Sequence, residues 1–556
     1  MADNTIAENG HPRGLYVLFF TELWERFGFY LMVGIFMLYL IDPASNGGKG
    51  MSIARAADMV GSYIALVFFT PFIGGLLADR VLGYRKAIIL GGILLALGYY
   101  GLALGGNTSM YISLLLIIVG NGFFKPNIST LLGNLYNKEG LRSKKDTAYN
   151  IFYMGTNIGA FVCNFVAAYM RNHFGWGYAF ATAGVGMTLG VLWFILGMKH
   201  VKEGDAIRPV QKEDMPLKKI GAYVFLPAML AAGAGWFYTD IFGYALFGTR
   251  SNDAFMFACI PVIIFYILLY VRSSKKDKRG LGALFSFFIV TLVFWVVFNQ
   301  NSTALTVWAD QYTNREMPVS IEKAVRPFGM LQTVSAVPHE VPKVDQYLRV
   351  QVDAHGREMQ TMGTDPYFQN LPKEKWPHNG ELKLLSPEIF QSIDPLFIIL
   401  LTPLLVGLFS WLARRKKEPA TPVKVSLGVF IAGLSSLLMI IAISTTDIYH
   451  NKVGMLWLFS TYVMVTIGEL LVSPIGLSMV SKLSPVRLTA LMMGAWFLEN
   501  SIAGKLAGLM TSFWGSFIDK RNYFLILVIA ACIAALATFI ISKPLSGVIR
   551  ERTGSN

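Results

Sequence analysis

Charged residues are scarce in this chain of 556 residues, at 15% against 54% hydrophobic residues. A soluble protein needs more polar surface around its core than such a composition supplies. The basic residues give a formal net charge of +14, but they stand in short runs between apolar stretches and form no continuous basic region. The composition therefore excludes a nucleic-acid-binding protein and indicates a chain that uses a lipid bilayer as part of its solvent.

Cysteines and the common cofactor motifs are also nearly absent. Cys163, Cys259 and Cys532 each lie in a separate apolar stretch, which predicts no disulfide. Gly47–Gly50 has neither the spacing nor the hydroxyl residue of a GxxxxGK[ST] phosphate loop. No Cys/His cluster has metal-ligand spacing, and no nucleophile elbow follows a strand. We therefore expect no enzymatic activity, no cofactor and no metal, and we expect an ion gradient to supply the energy.

Apolar segments long enough to cross a bilayer, about 20 residues each, make up most of the chain. Lys and Arg crowd alternate connections, which the positive-inside rule places in the cytoplasm together with both termini. The polar, acidic N-terminal segment does not have the pattern of a cleavable signal peptide. We expect a multi-pass protein of the cell inner membrane with fourteen spans: 14–42, 52–79, 86–105, 108–135, 146–171, 175–198, 219–248, 253–271, 280–308, 387–413, 425–446, 453–481, 488–515 and 522–542.

Basic connections at 199–219 and 272–279 bracket the seventh and eighth spans. Two six-helix bundles around a central cavity resemble the major facilitator fold, and Asp79-Arg80 fits that superfamily's loop between spans two and three. The sequence thus predicts an all-α polytopic membrane protein with 6+2+6 transmembrane helices. Its parts are an N-terminal six-helix bundle over 14–198, a cytoplasm-flanked two-helix hairpin over 199–279, and a C-terminal six-helix bundle over 280–545.

Residues 309–386 interrupt this pattern between the first two helices of the C-terminal bundle. The segment is polar and rich in Pro, Asp, Glu and Lys, and the alternation of basic connections places it on the periplasmic side. Tyr347–Val352 alternates and is followed by a possible turn at Asp353–Gly356, the pattern of a small β-hairpin. We interpret the insertion as a solvated cap without chemistry of its own.

The first span carries three ionisable residues. Each such side chain at mid-bilayer costs about 2.5 to 3.5 kcal/mol on insertion scales, so each is a candidate functional residue. Glu22, Glu25, Arg26, Phe29 and Tyr30 have helical spacing and share one face. The polar face of a helix in the membrane has to line a cavity within the protein. The alternative is that Glu22 and Arg26 only neutralise each other for insertion, but such a pair needs no second carboxylate.

Two later spans carry isolated charges. Lys125 lies directly before Pro126, about ten residues, or roughly 15 Å of helix, from the cytoplasmic end of the fourth span. This distance disfavours snorkelling of the lysine to the membrane surface and predicts a carboxylate partner. Glu469 lies near the middle of its span with no cation within a turn, so its partner has to come from another helix or a substrate. Glu499 and Lys505 receive no role, because Lys505 can snorkel. All seven histidines fall outside the predicted spans, which leaves carboxylates as proton carriers.

Together these motifs resemble the proton-coupled oligopeptide transporter (POT/PTR) family. The family's first-span ExxER motif and aromatic pair are met by Glu22 to Tyr30, with Phe29 in place of the more usual tyrosine. The likeness covers the twelve core spans and the central hairpin of bacterial members, but not 309–386. The other matching elements are Lys125-Pro126-Asn127, Phe152-Tyr153 with Asn157, Gly468 to Leu477, and Met492 to Leu498.

The resemblance implies proton-coupled import of di- and tripeptides by alternating access. A zwitterionic peptide needs an acid at one end of its site and bases at the other. A transporter of another small organic solute and a non-transporting peptide sensor are the alternatives. The expected partners are the peptide substrate, protons and the lipid bilayer. The chain is expected to act as a monomer. Proton coupling is assigned to Glu22, Glu25, Arg26, Lys125 and Asp394, and substrate binding to Arg26, Tyr30, Tyr63, Lys125, Asn157, Asn299, Glu469, Ser473 and Trp496.

Two positions depart from the family pattern. The family usually has an acid after Phe-Trp-x-x-Phe of span seven, whereas Asn299 stands there in this chain. Span eight opens with Asp394-Pro395, where the family typically has Asn before Pro. We hypothesise that Asp394 takes over the charge function that Asn299 cannot serve. The alternative, that Asp394 simply caps the start of its helix, is open on the sequence alone.

Overall fold

The computed structural model describes residues 10–137, 140–205, 216–353, 357–485 and 488–553. The first bundle consists of α1 (Arg13–Ile41), α2 (Ile53–Leu77), α3 (Tyr84–Ala103), α4 (Asn107–Leu135), α5 (Lys145–Phe174) and α6 (Trp176–Gly197). The hairpin consists of α7 (Leu217–Ile220), α8 (Leu226–Phe242) and α9 (Arg250–Arg272). The remaining helices are α10 (Lys275–Phe298), α11 (Ala304–Gln311), α12 (Val319–Val325), α13 (Ile393–Arg414), α14 (Thr421–Thr445), α15 (Met455–Leu483), α16 (Thr489–Ser512), α17 (Lys520–Ile540) and α18 (Ser542–Thr553).

Within the described residues, thirteen helical segments are long and apolar enough to cross a membrane. Helix α16 matches the predicted span 488–515 but is not one of these thirteen. It carries two buried charged residues, Glu499 and Lys505, and packs against α2 and α10, so its surroundings are largely protein. The prediction of an all-helical multi-pass protein is confirmed, with thirteen candidate spans instead of fourteen.

The helices form two groups that meet along one long seam. Helices α1 to α6 pack mainly on each other, and α10 and α13 to α17, the second bundle, do the same. Helices α2 and α16 join the two groups. At this seam a Cβ atom on Gly61 would lie 2.8 Å from the Cα atom of Gly508, so any larger residue would push the helices apart. Ser501 of α16 also donates a hydrogen bond to the carbonyl of Ala65, at 2.7 Å.

The hairpin helices α8 and α9 lie outside the two bundles and expose most of their apolar side chains. Met229 and Ile241, for example, are exposed, as expected for a surface that faces lipid. One anchor to the second bundle is the hydroxyl of Tyr266, which donates to the carbonyl of Leu491 at 2.9 Å. The hairpin therefore touches the seam while most of its surface stays free of protein contact.

Helix bounds differ slightly from the predicted part boundaries. Helix α10 begins at Lys275, before the predicted start of the C-terminal bundle at 280, and α11 runs to Gln311, past the predicted start of the insertion at 309. The segment that leaves the helical pattern is therefore 312–392, which ends in a 3₁₀ turn over Pro387–Ser392. We call the face of the bundles that carries this segment the insertion face.

The insertion contains short strands with a small apolar cluster of its own. Strands β2 (Leu331–Ser335) and β5 (Glu381–Leu385) pair antiparallel, as do β3 (His339–Pro342) and β4 (Gln360–Gly363), whereas β1 (Thr313–Asn314) pairs parallel with β6 (Val453–Gly454) before α15. The cluster comprises Val334, Tyr367, Phe368, Leu371 and Leu384. A compact fold with a core is thus present where the sequence suggested little more than a cap.

The predicted hairpin at 347–356 is partly visible. Val352 forms an antiparallel bridge with Glu358, and Val350 forms one with Val344. Part of the predicted turn, residues 354–356, lies outside the described residues. The bridge between Val352 and Glu358 therefore flanks that turn, the bridge between Val344 and Val350 lies before it, and among the described residues no continuous strand covers 347–352.

Candidate functional site

The charged side chains of α1 form one buried cluster. Arg26 Nε lies 3.2 Å from Glu22 Oε1 and also donates a close hydrogen bond to Glu25 Oε2. All three side chains are buried, and Glu25 is 0% exposed. One atom of each residue, Glu22 Oε2, Glu25 Oε1 and Arg26 Nη2, has no hydrogen-bond partner among the described residues. Two carboxylates thus share one guanidinium and keep unused hydrogen-bonding capacity.

Lys125 of α4 lies beside this cluster without an ion pair. Its Nζ atom stands 4.2 Å from the ring centre of Phe68 and 5.7 Å from that of Phe29. It is within electrostatic reach of Glu22, Glu25 and Arg26, but no described carboxylate lies within ion-pair distance. The predicted direct carboxylate partner is therefore missing in this conformation, and aromatic faces hold the ammonium group by cation–π contacts instead.

Two tyrosines extend the α1 cluster. Tyr63 of α2 is buried, its hydroxyl has no described partner, and it lies within electrostatic reach of Glu25 and Arg26. Tyr30 is half-buried one turn along α1 from Arg26. It is within electrostatic reach of Arg26 on one side and of Asp394 and Glu469 on the other. Tyr30 therefore marks the place where the charged groups of the two bundles approach each other.

Asp394 and Glu469 form an acid pair in the second bundle. Asp394 lies in the first turn of α13, whose N-cap is Ser392. Its Oδ1 atom accepts a hydrogen bond from the Thr466 hydroxyl at 2.6 Å, and its carboxyl group lies within electrostatic reach of Glu469. Glu469 is 8% exposed, and its Oε2 atom has no described partner. The capping alternative does not describe this geometry, because the Asp394 side chain contacts α15 and is not the N-cap.

Asn299 is engaged in local hydrogen bonds. Its amide donates to the carbonyl of Trp295 at 2.8 Å, and its own carbonyl accepts from Ser302 and Thr303. These local bonds compete with helix hydrogen bonds and accompany the 3₁₀ turn Asn299–Ser302 that separates α10 from α11. Asn157 of α5 is likewise engaged locally, donating to the carbonyl of Tyr153 at 2.9 Å. Both side-chain amides therefore donate to carbonyls one turn back along their own segments.

Trp496 lies on α16 and Ser473 lies on α15. Trp496 is 6% exposed and its ring lies 6.2 Å from that of Phe287, nearly parallel. A Cβ atom on Gly476 would come within 2.1 Å of the Trp496 ring. Trp496 is thus tightly packed between α10 and α15. Ser473 is half-buried on α15, one turn beyond Glu469.

Three residues of the site were not selected from the sequence. Tyr153 and Tyr462 lie within electrostatic reach of Asp394, and Thr466 bonds it directly. Tyr153 is 46% exposed. The available signals were modest: Tyr153 belongs to the FYxxxN motif, and Thr466 stands three residues before Glu469 on the same helix face.

The charges of α16 also differ from expectation. Lys505 does not snorkel: it is buried, and its Nζ atom lies 2.6 Å from Asp58 of α2 and 2.6 Å from the Ser62 hydroxyl. Glu499 is buried beside Thr291 of α10, with no described cation in ion-pair distance. The described histidines lie at helix ends or in connections, as His173 does in the last turn of α5. Lys505 therefore links the bundles near the insertion face.

The arrangement divides charge between the bundles. Cationic groups, Arg26 and Lys125, stand on the first bundle, and the acid pair stands on the second. A molecule with a carboxylate at one end and an ammonium at the other matches such a division, because each end meets the opposite charge. The described residues include no group of three or more His, Cys, Asp or Glu side chains placed to hold a metal ion.

Sequence and structure comparisons agree on one family. The profile of the POT family (PTR2) matches residues 85–337 and 378–523. The chain is 31% identical over 553 residues to the uncharacterized transporter YclF of Bacillus subtilis (strain 168), covering 97% of this chain and 96% of the relative. It is 30% identical to a di-/tripeptide transporter of Lactococcus lactis subsp. lactis (strain IL1403), covering 96% of each.

Among solved structures, a peptide transporter POT in complex with sulfate superimposes with a TM-score of 0.75 at 28% identity, covering 98% of this chain and 97% of the other. The family profile covers most of the chain, the relatives match it from end to end, and the fold agrees. The chain belongs to the POT family.

Proposed function

We propose that the protein imports di- and tripeptides together with protons by alternating access. The observation that carries the proposal is the division of charge across the site, with Arg26 and Lys125 on one bundle and the acid pair Asp394–Glu469 on the other. Tyr30 lies within electrostatic reach of Arg26 and of both acids. A peptide that spans this site places its carboxylate near the cations and its ammonium near the acids. The name of the Lactococcus lactis relative supports the same substrate class.

Proton coupling is proposed to start at the α1 cluster. Glu22 and Glu25 compete for Arg26, while Lys125 lies nearby with no described carboxylate within ion-pair distance. Protonation of Glu22 removes one of the two negative charges that hold the guanidinium. Arg26 and Lys125 are then free to bind the carboxylate of a peptide. Proton and peptide binding would thereby favour each other, as symport requires.

The conformation is closed at the insertion face. Three contacts join the bundles there: Lys505 with Asp58, the buried pair Arg171 and Glu388 at 3.2 Å, and Asn164 with the Ser392 hydroxyl at 3.2 Å. The positive-inside rule puts this face in the periplasm and both termini in the cytoplasm of the inner membrane. We therefore assign the conformation as closed to the periplasm. We propose that the chain acts as a monomer.

Proteoliposomes with the purified protein test the proposal. Labelled dialanine should accumulate when the lumen is made alkaline relative to the medium, and a protonophore should abolish the accumulation. A peptide sensor would bind dialanine without accumulating it. A transporter of another small solute would show no competition by dialanine for its own uptake. Either of the last two results overturns the proposed function.

A further inference from the structure

We propose that Arg171 is an outer binding site for the carboxylate of an incoming peptide, and that the peptide takes the place of Glu388 on this arginine when the insertion face opens. The site is separate from the α1 cluster and the acid pair and lies near the far end of α5. The proposal rests on the proposed function for the identity of its ligand, a small peptide that enters from the periplasm.

A polar stripe on α5 leads from Asn157 to Arg171. Asn157, Asn164 and Arg171 follow each other at intervals of seven residues, so they lie on one face of the helix. Asn164 donates to the Ser392 hydroxyl at 3.2 Å, and Arg171 pairs with Glu388. This face is therefore turned toward the second bundle. The stripe is about 21 Å long, whereas a dipeptide extends over about 7 Å. A peptide thus cannot occupy both ends of the stripe at once.

The ion pair between Arg171 and Glu388 leaves hydrogen-bonding groups of both residues unused. Arg171 Nε lies 3.2 Å from Glu388 Oε1, and the side chains are 7% and 0% exposed. Arg171 Nη2 and both carboxylate oxygens of Glu388 have no hydrogen-bond partner among the described residues. A guanidinium binds a carboxylate most strongly through two parallel hydrogen bonds, and this pair does not make them. A peptide carboxylate that makes both bonds is therefore a stronger partner for Arg171.

Arg171 keeps its position on the first bundle without Glu388. Its guanidinium carbon lies 4.8 Å from the ring centre of Trp176, a cation–π contact with the first residue of α6. The indole N–H of Trp176 in turn donates to Asp42 Oδ2, at the end of α1, at 2.8 Å. These contacts lie within the first bundle. When the bundles separate, Arg171 therefore stays where an entering molecule meets it.

Glu388 belongs to a turn that the second bundle holds. In the 3₁₀ turn Pro387–Ser392, the Gln391 amide donates to the Thr306 hydroxyl of α11 at 2.8 Å. Opening at the insertion face thus separates Glu388 from Arg171. An arginine that loses its partner in a poorly hydrated place is costly unless another anion replaces that partner. The carboxylate of the peptide supplies this anion, so peptide binding favours opening.

The other acids near Arg171 are engaged elsewhere. Asp310 lies 3.3 Å from Arg315, and Asp42 accepts the hydrogen bond from Trp176. Among the described residues, Glu388 is the carboxylate within ion-pair distance of Arg171. The exchange at Arg171 is therefore between Glu388 and the substrate.

Initial rates of dialanine uptake into right-side-out vesicles test the site, because the two residues of the pair make opposite predictions. Arg171→Gln removes the receptor and should raise KM at the periplasmic side about tenfold or more. Glu388→Gln removes the competing anion and should lower KM. If the pair only holds the face closed, either change shifts the protein toward the open state, and both variants lower KM. Shifts of KM in the same direction in both variants overturn the proposal.

Lys505 and Asp58 are the matched control, because they form another ion pair between the bundles at this face. Lys505→Gln and Asp58→Asn should change KM in one common direction. Opposite shifts in this control pair would mean that the sign of the change does not report a binding site, and would overturn the proposal.

Arg171→Lys serves if Arg171→Gln folds poorly. Lysine keeps the charge but cannot form two parallel hydrogen bonds, so KM should still rise, by less than in Arg171→Gln. An unchanged KM in Arg171→Lys overturns the proposal.

Dialanine binding from the cytoplasmic side separates the outer site from the central one. Its affinity in inside-out vesicles should be the same in Arg171→Gln and wild type, since the α1 cluster and the acid pair are intact. An equal loss of affinity on both sides overturns the outer site. A wild type that takes up no dialanine contradicts the proposed function and removes the peptide as ligand of Arg171. Uptake by wild type, with both pair variants shifted in one direction, overturns the outer site alone.

Discussion

Glu469→Gln is expected to weaken peptides with a free amine far more than N-acetylated peptides. Glu469 is buried at 8% exposure and presents an unpartnered oxygen, so an ammonium group there makes a charge-assisted hydrogen bond away from bulk water. Such a bond is worth about 1.5 to 3 kcal/mol. Since 1.4 kcal/mol is about tenfold in affinity, the single variant should lose about 10- to 150-fold in affinity for dialanine.

The loss in the single variant is limited because Asp394 remains. In Glu469→Gln the new amide can donate to Asp394, which then carries the negative charge itself. The double variant Asp394→Asn with Glu469→Gln has no negative charge left in the pair. Removing the only partner of a buried charge costs about 3 to 5 kcal/mol, so the double variant should lose at least a hundredfold in affinity for dialanine.

Competition binding to the purified protein measures these effects. Dialanine and N-acetyl-dialanine displace a labelled peptide from wild type, Glu469→Gln and the double variant, and the ratio of the two affinities is compared. Acetylation removes the ammonium charge, so the acetylated peptide should bind all three proteins within a few-fold of each other. Equal weakening of both peptides would refute the assignment of the amine to Glu469.

Three further predictions concern other parts of the molecule. Glu22→Gln should abolish uptake driven by a pH gradient while counterflow exchange continues, and gradient-driven accumulation in this variant contradicts its coupling role. Asp58→Asn leaves buried Lys505 without its carboxylate and should lower the melting temperature measurably, since breaking a buried pair costs about 3 to 5 kcal/mol; an unchanged melting temperature argues against the link. Burial opposes ionisation of Glu358, but backbone hydrogen bonds and Arg55 outweigh it and lower its pKa. The Glu358 carboxylate therefore stabilises the fold at pH values above the pKa of this residue in the unfolded chain, and the stabilisation is lost as the pH falls through its pKa in the folded protein. Glu358→Gln should lower the free energy of unfolding by about 1 kcal/mol or less at neutral pH. A difference in stability between the variant and wild type that persists in acid contradicts this prediction.

The sequence was sufficient for what depends on helix periodicity and composition. Spacing alone placed Glu22, Glu25 and Arg26 on one face of α1, and the structure joins them in one cluster. Apolar length predicted nearly all membrane helices. These features are local, so a single segment contains the information that determines them.

Contacts between distant segments were beyond the sequence. The hydrogen bond between Asp394 and Thr466 depends on how α13 and α15 pack, and no spacing rule reports such a contact. The missing carboxylate partner of Lys125 has the same origin, because Arg26 holds both nearby acids. Lys505 was misread as a snorkelling residue, since Asp58 stands far away in the chain and close only in the fold.

The insertion was underestimated for a different reason. Its strands pair across long stretches, as β2 does with β5, and β1 pairs with β6 on the far side of α13 and α14. Short strands joined at such separations leave a weak periodic signal. The polar composition correctly placed the segment outside the membrane helices but gave no hint of an apolar cluster.

The insertion makes polar contacts with both bundles, so it restrains their relative motion. On the first bundle, Glu358 bonds Arg55 at 2.7 Å and Asn172 donates to the carbonyl of Gly329 at 3.0 Å. On the second, β1 pairs with β6 and Asn370 donates to the carbonyl of Ile448 at 2.8 Å. A rocking motion that separates the bundles at this face has to break the contacts of the insertion with one of the two bundles. Each hydrogen bond contributes about 0.5 to 1.5 kcal/mol. The insertion therefore shifts the conformational equilibrium of the empty transporter toward the state that is closed at this face, so that opening without substrate is rare.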